Sequence, residues 1–243
     1  MKQDDIPDNW ETSQHILVVL AHPDDPEFFC GGTIARWIKS GHRVSYCLLT
    51  CGDKGTADRS INTDTLCTIR QQEQRAAAAV LGVSDVRFLD HPDGYLVPDL
   101  DLRKEITRVI RQEQPDVLVT CDPTNLYVRE TYLNHPDHRA AGQAALDAVF
   151  PAARDHLNFI ELWRDEQLEP HIVREVWISL AQDPNVTVDI TEYWEIKLRA
   201  LSEHISQIGD REKLEERMRS RHTPDSTAED PRFEEKFKRL VLG

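Results

Sequence analysis

The segment HILVVLAHPDD, residues 15–25, decides the fold. Its first six residues are apolar apart from His15, and such a short run is typical of a parallel strand covered on both faces. A polar tetrapeptide, residues 22–25, follows at once. Because ligands bind beyond the carboxyl ends of the strands in an open parallel sheet, the segment predicts a functional site at the mouth of the sheet.

Strand and helix patterns alternate on the C-terminal side of this segment. Further strands are predicted over 44–50, 86–89 and 116–120, and helices over 33–40, 64–81, 100–112 and about 137–150. Repeated strand–helix units with short connections predict an α/β protein with a Rossmann-like three-layer fold. Its sheet is expected to be mainly parallel, with helices on both faces.

The pattern is less regular beyond Pro151. It predicts strands over 172–180 and 186–190, a helix over 192–208, a solvated helix and loop over 209–230, and a docking helix over 233–242. We predict a single domain over residues 1–243. An N-terminal tail over 1–12 and a helical C-terminal elaboration from about 191 to 243 would flank its main body.

The charge of the chain is strongly negative. Lys and Arg number 29 and Asp and Glu 43, and of the net charge of −14 all but −1 lies in residues 1–190. An acidic body repels phosphate backbones and anionic lipid, so neither nucleic acid nor membrane is an expected partner. No stretch approaches the roughly 20 apolar residues of a membrane helix, and the polar N-terminus lacks the profile of a secretory signal.

The five cysteines are scattered and form no C-x-x-C pair. This spacing indicates neither a disulfide framework nor a cysteine zinc site. Cys47 and Cys51 follow a strand pattern and are expected to be core thiols. We therefore predict a reduced, soluble, cytoplasmic protein.

A second polar cluster, NHPDH at residues 134–138, follows the fourth predicted strand. One His-Pro-Asp tripeptide is most often a turn that caps a helix. Two of them at the mouth of one sheet favour a metal site at the C-terminal ends of the strands, because imidazole and carboxylate are zinc ligands. Three protein ligands with an open position are typical of a catalytic metal, and His22, Asp25 and His138 would supply them. The residues alone do not decide between Asp24 and Asp25.

The two clusters together resemble the motifs of the LmbE-like (PIG-L) N-acetylglucosaminyl deacetylase family. The matching elements are AHPDD at 21–25 with Gly31-Gly32, HPDH at 135–138, Arg70 with Glu73, Asp93-Gly94, and the helix pattern KxxALxxHxSQ at 197–207. The resemblance covers roughly residues 16–240. It implies an enzyme that removes N-acyl groups, mostly acetyl from N-acetylglucosamine-type sugars. It also implies a divalent metal, usually Zn²⁺, with another such as Fe²⁺ possible.

The resemblance also implies a role for each matching residue. His22, Asp25 and His138 would be the metal ligands, Asp24 the general base toward a metal-activated water, and His135 the group that stabilises the oxyanion or protonates the leaving amine. Asp137 would be the acid beside them, and Arg70 and Asp93 would contact the sugar. For Arg70 the alternative is a surface ion pair with Glu73.

The chain departs from the family pattern at one position. Some relatives have a tyrosine two residues before the first histidine of the second motif, where this chain has Leu133. The nearest tyrosine is Tyr132. Tyr132 or His204 would then support the site, although packing or surface roles are expected for both.

The leading hypothesis is a zinc-dependent deacetylase of a small-molecule amino sugar or its conjugate, with a homo-oligomer possible. An amidase acting on a bulkier acyl or thiol conjugate would use the same site. Two histidines and a carboxylate also describe non-haem Fe(II) oxygenases, but the His-x-x-Asp spacing and the extra Asp24 count against that class. A non-catalytic sugar-binding protein is a further alternative, but it would be expected to have lost Asp24 or a ligand.

Overall fold

The computed structural model describes residues 8–128 and 132–243. Its strands are β1 (His15–Leu20), β2 (Arg43–Thr50), β3 (Asp85–His91), β4 (Val117–Cys121), β5 (Tyr127–Val128), β6 (Tyr132–Leu133), β7 (Glu175–Ser179), β8 (Val186–Asp189) and β9 (Glu234–Val241). Its α-helices are α1 (Asp25–Lys39), α2 (Thr63–Leu81), α3 (Leu100–Glu113), α4 (Pro136–Asp147), α5 (Ile160–Arg164), α6 (Trp194–Leu201), α7 (Ile205–Ile208) and α8 (Arg211–Arg219).

Within the described residues, seven strands form one sheet in the order β3-β2-β1-β4-β7-β9-β8. The first five pair in parallel, whereas β9 is antiparallel to both β7 and β8. Strand β1 lies between β2 and β4, so residues 22–25 emerge at the carboxyl edge near the centre of the sheet. The predicted α/β class with a mainly parallel sheet is confirmed.

The central strand β1 divides its side chains between two cores. Ile16, Val18 and Leu20 pack in one core with residues of α1, α2 and α6. Leu17 and Val19 pack in the other with residues of α3 and α4. Because successive side chains of a strand point to opposite faces, a strand buried on both faces must be apolar throughout. This accounts for the unbroken apolar run and confirms the three-layer arrangement.

The predicted docking helix over 233–242 is wrong, because this segment forms β9. Phe233, Glu235 and Phe237 are buried, which is the two-residue period of a strand. Glu235 is tolerated inside because it accepts hydrogen bonds from the backbone nitrogens of Gly32 and Thr33, at 3.0 and 2.8 Å, and pairs with Lys197. In the sequence, the charged residue Glu235 at a buried position obscures the alternation of apolar and polar residues that is typical of a strand.

Both chain ends are more integrated than predicted. The C-terminal part contains the helices α6, α7 and α8, but it also supplies β9, which lies between β7 and β8 in the main sheet. The predicted helix over 192–208 is broken into α6 and α7. Asp8 is buried and accepts hydrogen bonds from Arg36 and Trp37, so the predicted tail is docked from residue 8 onward. Residues 1–7 of that tail lie outside the described residues.

A disulfide joins Cys51, in the loop after β2, to Cys67 on α2. The expectation that all the cysteines are reduced is therefore wrong. The two residues lie 16 positions apart, and only the fold brings their Cα atoms to 5.1 Å. The other three cysteines are buried thiols.

Among the described residues, no helix is both long enough and apolar enough to cross a membrane.

Two glycines let helices approach their neighbours closely. A Cβ atom on Gly142 of α4 would lie 2.2 Å from the carbonyl oxygen of Cys121, so α4 rests directly on the end of β4. A Cβ atom on Gly32 of α1 would lie 2.7 Å from side-chain atoms of Ile190. Both helices carry residues of the two polar clusters, so this close packing fixes the positions of those clusters.

We predict that Gly32→Ala lowers the free energy of unfolding by about 1–3 kcal/mol, because its methyl group overpacks against Ile190. The control is Gly31→Ala, whose Cβ would lie 3.4 Å from Lys197, an ordinary contact distance. Urea unfolding of both variants measures the difference. Equal stability of the two variants would contradict the packing argument.

Candidate active site

Three buried side chains from the two polar clusters converge on one point. The Nδ1 atom of His22 lies 3.3 Å from Nε2 of His138, and Asp25 approaches both, at 3.5 and 3.1 Å. Ligand atoms about 2.0–2.1 Å from a tetrahedral zinc lie about 3.3 Å from each other. The three predicted metal ligands are thus brought together at separations that fit a small divalent cation.

The turn from β1 into α1 sets the positions of the first cluster. The backbone nitrogen of His22 donates to Asp25 at 2.8 Å, which closes the turn on itself. Asp24 takes a left-handed conformation with φ of 93°. That conformation is costly for a residue with a side chain and is found where surrounding contacts hold it in place. The turn therefore directs the two neighbouring aspartates differently.

The far nitrogen of His22 is held by carboxylates. Its Nε2 lies 3.2 Å from Asp137 and 3.1 Å from Asp93. Asp137 is itself fixed by the backbone nitrogens of Gly94 and Leu96, at 2.7 and 3.2 Å. A carboxylate on one ring nitrogen places the proton there and leaves the other nitrogen free for a metal. Asp137, predicted as a catalytic acid, thus lies behind His22.

Asn134 gives His138 the same kind of support. Its Oδ1 lies 2.9 Å from Nδ1 of His138, which leaves Nε2 facing Asp25. Sequence reasoning assigned no role to Asn134, although it stands four residues before His138. A spacing of four residues at the start of a helix places two side chains on the same face. This spacing was the feature of the sequence that could have identified Asn134 as a partner of His138.

The two adjacent aspartates differ in electrostatic environment. Burial raises the pKa of Asp24 to about 6, although Arg70 at 3.4 Å opposes this. Burial also acts to raise the pKa of Asp25, but the charge and hydrogen bond of His138 outweigh it and hold that pKa below its ordinary value. Asp25 therefore stays ionised, as a ligand must, while Asp24 titrates near neutrality, as suits a general base.

A chain of buried polar groups fixes the backbone of Asp24. Its nitrogen donates to Oε1 of Gln74 at 2.8 Å. The amide nitrogen of Gln74 donates to both oxygens of Glu27, at 3.0 and 3.1 Å, and Glu27 lies 3.1 Å from Nε2 of His204. His204 thus supports Asp24 indirectly. Sequence reasoning missed Gln74 and Glu27.

Arg70 and Asp93 form part of the wall of the site. Arg70 is buried and donates to the carbonyl oxygens of Pro23 and Gly52, at 2.7 and 3.2 Å. The alternative of a surface pair with Glu73 is wrong, because Glu73 accepts from Ser206 instead. Contact of Arg70 or Asp93 with a sugar stays a prediction.

His135 begins α4 and lies at the mouth of the site. Its Nδ1 accepts a hydrogen bond from the backbone nitrogen of Asp137 at 3.2 Å, so the proton of the neutral ring is on Nε2. Burial, with the charge of His22, lowers the pKa of His135. Its side chain is 35% exposed, and its ring centroid lies 4.6 Å from that of His22.

Tyr132, the tyrosine nearest to the second motif, is exposed in β6, which agrees with the expected surface role.

In the part of the chain that the structure describes, two other groups of donor atoms are close enough to hold an ion. One is His22, Asp93, His135 and Asp137, which shares His22 with the first group but uses its other nitrogen. The other is Cys51, Cys67 and Asp90, whose sulfurs are joined in the disulfide. The group of His22, Asp25 and His138 fits a metal best, because each of its imidazoles has a support on the opposite nitrogen.

Comparison with known proteins agrees with this geometry. The family model PIG-L, described as GlcNAc-PI de-N-acetylase, matches residues 17–149. This chain belongs to the PIG-L family. The diacetylchitobiose deacetylase of Thermococcus kodakarensis is 38% identical over 192 residues, 79% of this chain and 69% of that protein. The probable N-acetyl-alpha-D-glucosaminyl L-malate deacetylase 2 of Bacillus cereus is 30% identical, with 80% and 84% of the two chains covered.

A solved deacetylase structure resembles nearly the whole chain. The N,N′-diacetylchitobiose deacetylase of Pyrococcus horikoshii superimposes with a TM-score of 0.85 at 31% identity, covering 98% of this chain and 87% of that one. The predicted family is therefore confirmed, and with it the prediction of an enzyme of the deacetylase class.

We predict that His138→Ala loses most of its affinity for a divalent metal, because one of three ligands is removed. His135→Ala is the matched control from the same motif and should bind metal like the unchanged protein. Elemental analysis after loading with Zn²⁺ and gel filtration measures both. Equal metal content in the two variants would remove His138 from the site.

Proposed function

We propose that this PIG-L protein is a zinc-dependent hydrolase that removes the acetyl group from an N-acetylglucosamine-type sugar or sugar conjugate. One arrangement carries the proposal: three mutually close ligand side chains with an adjacent carboxylate, Asp24, that is not among them. A catalytic metal needs an open coordination position and a base beside it. His22, Asp25 and His138 would hold the metal and leave Asp24 for proton transfer.

A bound Zn²⁺ would polarise the acyl carbonyl and lower the pKa of a water molecule. Asp24 would take the proton of that water as it attacks the amide carbon. Its left-handed backbone and the hydrogen bond to Gln74 would hold the carboxylate beside the ligands. Arg70 would keep the carboxylate oriented from the other side. Asp24 would then release this proton to the leaving amine as the C–N bond breaks.

His135 would act on the opposite side of the scissile bond. Its Nε2–H would donate a hydrogen bond to the developing oxyanion, while the leaving amine takes the proton that Asp24 received from the water. One such donor is typically worth about 3 kcal/mol of transition-state stabilisation. Asp137 would not touch the substrate but would hold His22 in the ligating orientation. Arg70 and Asp93 would contact the sugar.

The relatives support the substrate class. The names of the Thermococcus and Bacillus proteins place their activity on acetylated glucosamine derivatives. We infer a small amino-sugar substrate here as well. Residues of one domain would bind it, because β9 lies within the main sheet. An amidase for a bulkier acyl group would use the same residues, and substrate comparison separates the two.

The zinc-loaded protein should release amine from N-acetylglucosamine or N,N′-diacetylchitobiose. Asp24→Asn should keep its metal and lose turnover by a factor of about 10²–10⁴, because the base is gone. Asparagine tolerates the left-handed conformation, so the turn is preserved. Asp101→Asn, an exposed position on α3, is the control. Metal loss in Asp24→Asn would mean that the roles of the two aspartates are exchanged.

The activity should fall as the pH is lowered through a midpoint at or below about 6. The carboxylate of Asp24 acts as a base only when ionised, its pKa is raised to about 6 by burial, and a bound cation would lower that value. The pH profile of kcat/KM measures this acid limb. Activity that rises between pH 7 and pH 5 would contradict Asp24 as the base.

A further inference from the structure

The disulfide between Cys51 and Cys67 joins the loop after β2 to helix α2. The loop covers residues 51–62 and forms neither helix nor strand. Arg70 follows Cys67 by three residues, so the two lie on neighbouring turns of one helix face. The bond therefore fastens the first residue of the loop to the part of α2 that carries Arg70. The proposed mechanism gives the disulfide no role.

The loop holds the side chain of Arg70 through its backbone. The Nη1 atom of Arg70 donates to the carbonyl oxygens of Gly52 and Lys54, at 3.2 and 3.4 Å. A Cβ atom on Gly52 would lie 2.5 Å from the guanidinium carbon of Arg70, so the backbone and the side chain are in direct contact. Because Cys51 directly precedes Gly52, the disulfide closes a small ring of contacts around the guanidinium group.

The same loop holds Asp93 from the other side. The backbone nitrogen of Asp93 donates to Oδ1 of Asp53 at 2.8 Å. The Nη1 atom of Arg70 and Oδ2 of Asp93 lie 3.8 Å apart. Residues 52–54 thus set the positions of both side chains that the proposed function places at the sugar.

A change of redox state would be confined to this pair of cysteines. Burial raises the pKa of Cys47 to about 12 and raises the pKa values of Cys30 and Cys121 well above their ordinary range. Thiols of this kind form no thiolate near neutral pH and are unreactive. In the disulfide, Cys67 is partly exposed and Cys51 is buried, which favours attack at the sulfur of Cys67.

We propose that the disulfide between Cys51 and Cys67 positions Arg70 and Asp93 for the sugar, and that its reduction weakens substrate binding. This inference rests on the proposed function, which assigns both side chains to the sugar. Reduction releases the start of the loop from α2, so that residues 52–54 shift and both sugar contacts shift with them. The proposed metal ligands belong to other elements and keep their places.

A dithiol reductant would make this change in two exchange steps. One of its thiolates attacks Sγ of Cys67, the S–S bond breaks, and Cys51 leaves as a thiolate that takes up a proton. The second thiolate of the reductant then attacks the mixed disulfide and releases Cys67, which also takes up a proton. The reductant ends as a disulfide, and the protein has gained two electrons and two protons.

Reduction should lower kcat/KM for N,N′-diacetylchitobiose by about tenfold, mainly through a higher KM, because the sugar contacts are misplaced. The protein is equilibrated with oxidised glutathione, loaded with Zn²⁺, freed of both by gel filtration, and then treated with a phosphine reductant. A phosphine adds no thiol that could remove the zinc.

Two variants control the measurement. The double variant Cys51→Ser with Cys67→Ser should show the higher KM without reductant and should not respond further when the reductant is added. Cys47→Ala removes a buried thiol of β2 outside the loop and should respond to the reductant like the unchanged protein.

Three results would overturn the proposal. The first is five alkylatable thiols in the denatured, unreduced protein instead of three, since no disulfide would then exist. The second is an unaltered KM on reduction, even with a lower kcat, since loss of folded protein reduces only the amount of active enzyme. The third is a response to the reductant in the double variant, since the reductant would then act elsewhere.

Hydrogen exchange separates this proposal from the proposed function. On reduction, amide exchange should become faster in peptides that cover residues 51–62 and should stay unchanged in β1. Faster exchange of the loop, even without amine release from any sugar, would support the hold of the disulfide on the loop while the proposed function fails. Deacetylation with unaltered exchange of the loop on reduction would overturn the role of the disulfide alone.

Discussion

The contact between His22 and the carboxylates at its far nitrogen is the interaction on which the site depends. Asp137 is held by backbone nitrogens of the loop after β3 and reaches His22 from the start of α4. Three parts of the chain thereby fix one imidazole. Its other nitrogen can face only the point that Asp25 and His138 also face. The geometry of the proposed metal centre follows from this single restraint.

The same arrangement concentrates negative charge. Asp25, Asp93 and Asp137 lie 3.1–3.5 Å from ring nitrogens of His22, and Asp24 pairs with Arg70. Buried carboxylates repel each other unless a cation offsets them. Burial acts to lower the pKa of His22, but its hydrogen bonds to Asp137, Asp25 and Asp93 outweigh this and raise that pKa well above its ordinary value. A divalent cation would replace that proton, which links metal binding to stability.

The C-terminal part of the chain supports the site from behind. Helix α1 departs from helical geometry at Cys30, and Glu235 of β9 accepts hydrogen bonds from the following nitrogens of Gly32 and Thr33. Lys197 of α6 pairs with Glu235, and His204 contacts Glu27. The helix that begins at Asp25 is therefore anchored by residues about 200 positions later in the sequence.

The sequence was sufficient to predict the parallel part of the sheet and the meeting of the two polar clusters, because an apolar run followed by a polar motif has one place in a parallel sheet. The choice of Asp25 over Asp24 as a proposed ligand came from the resemblance to the family. It was insufficient where tertiary contacts override local pattern. Glu235 broke the alternation of β9, since its partners lie on α1. The pairing of Cys51 with Cys67 depends on how α2 returns to β2. Nothing in the sequence distinguishes Gln74 from an ordinary helix residue, because its role depends on the hydrogen bond that it accepts from the backbone nitrogen of Asp24.

The most direct test is a crystal structure of the zinc-loaded protein with anomalous data at the zinc absorption edge. The account predicts one strong peak about 2.0–2.2 Å from Nδ1 of His22, a carboxylate oxygen of Asp25 and Nε2 of His138. A peak bonded instead to Nε2 of His22, with Asp93 and Asp137 as its neighbours, would contradict the ligand assignment and the role given to Asp24.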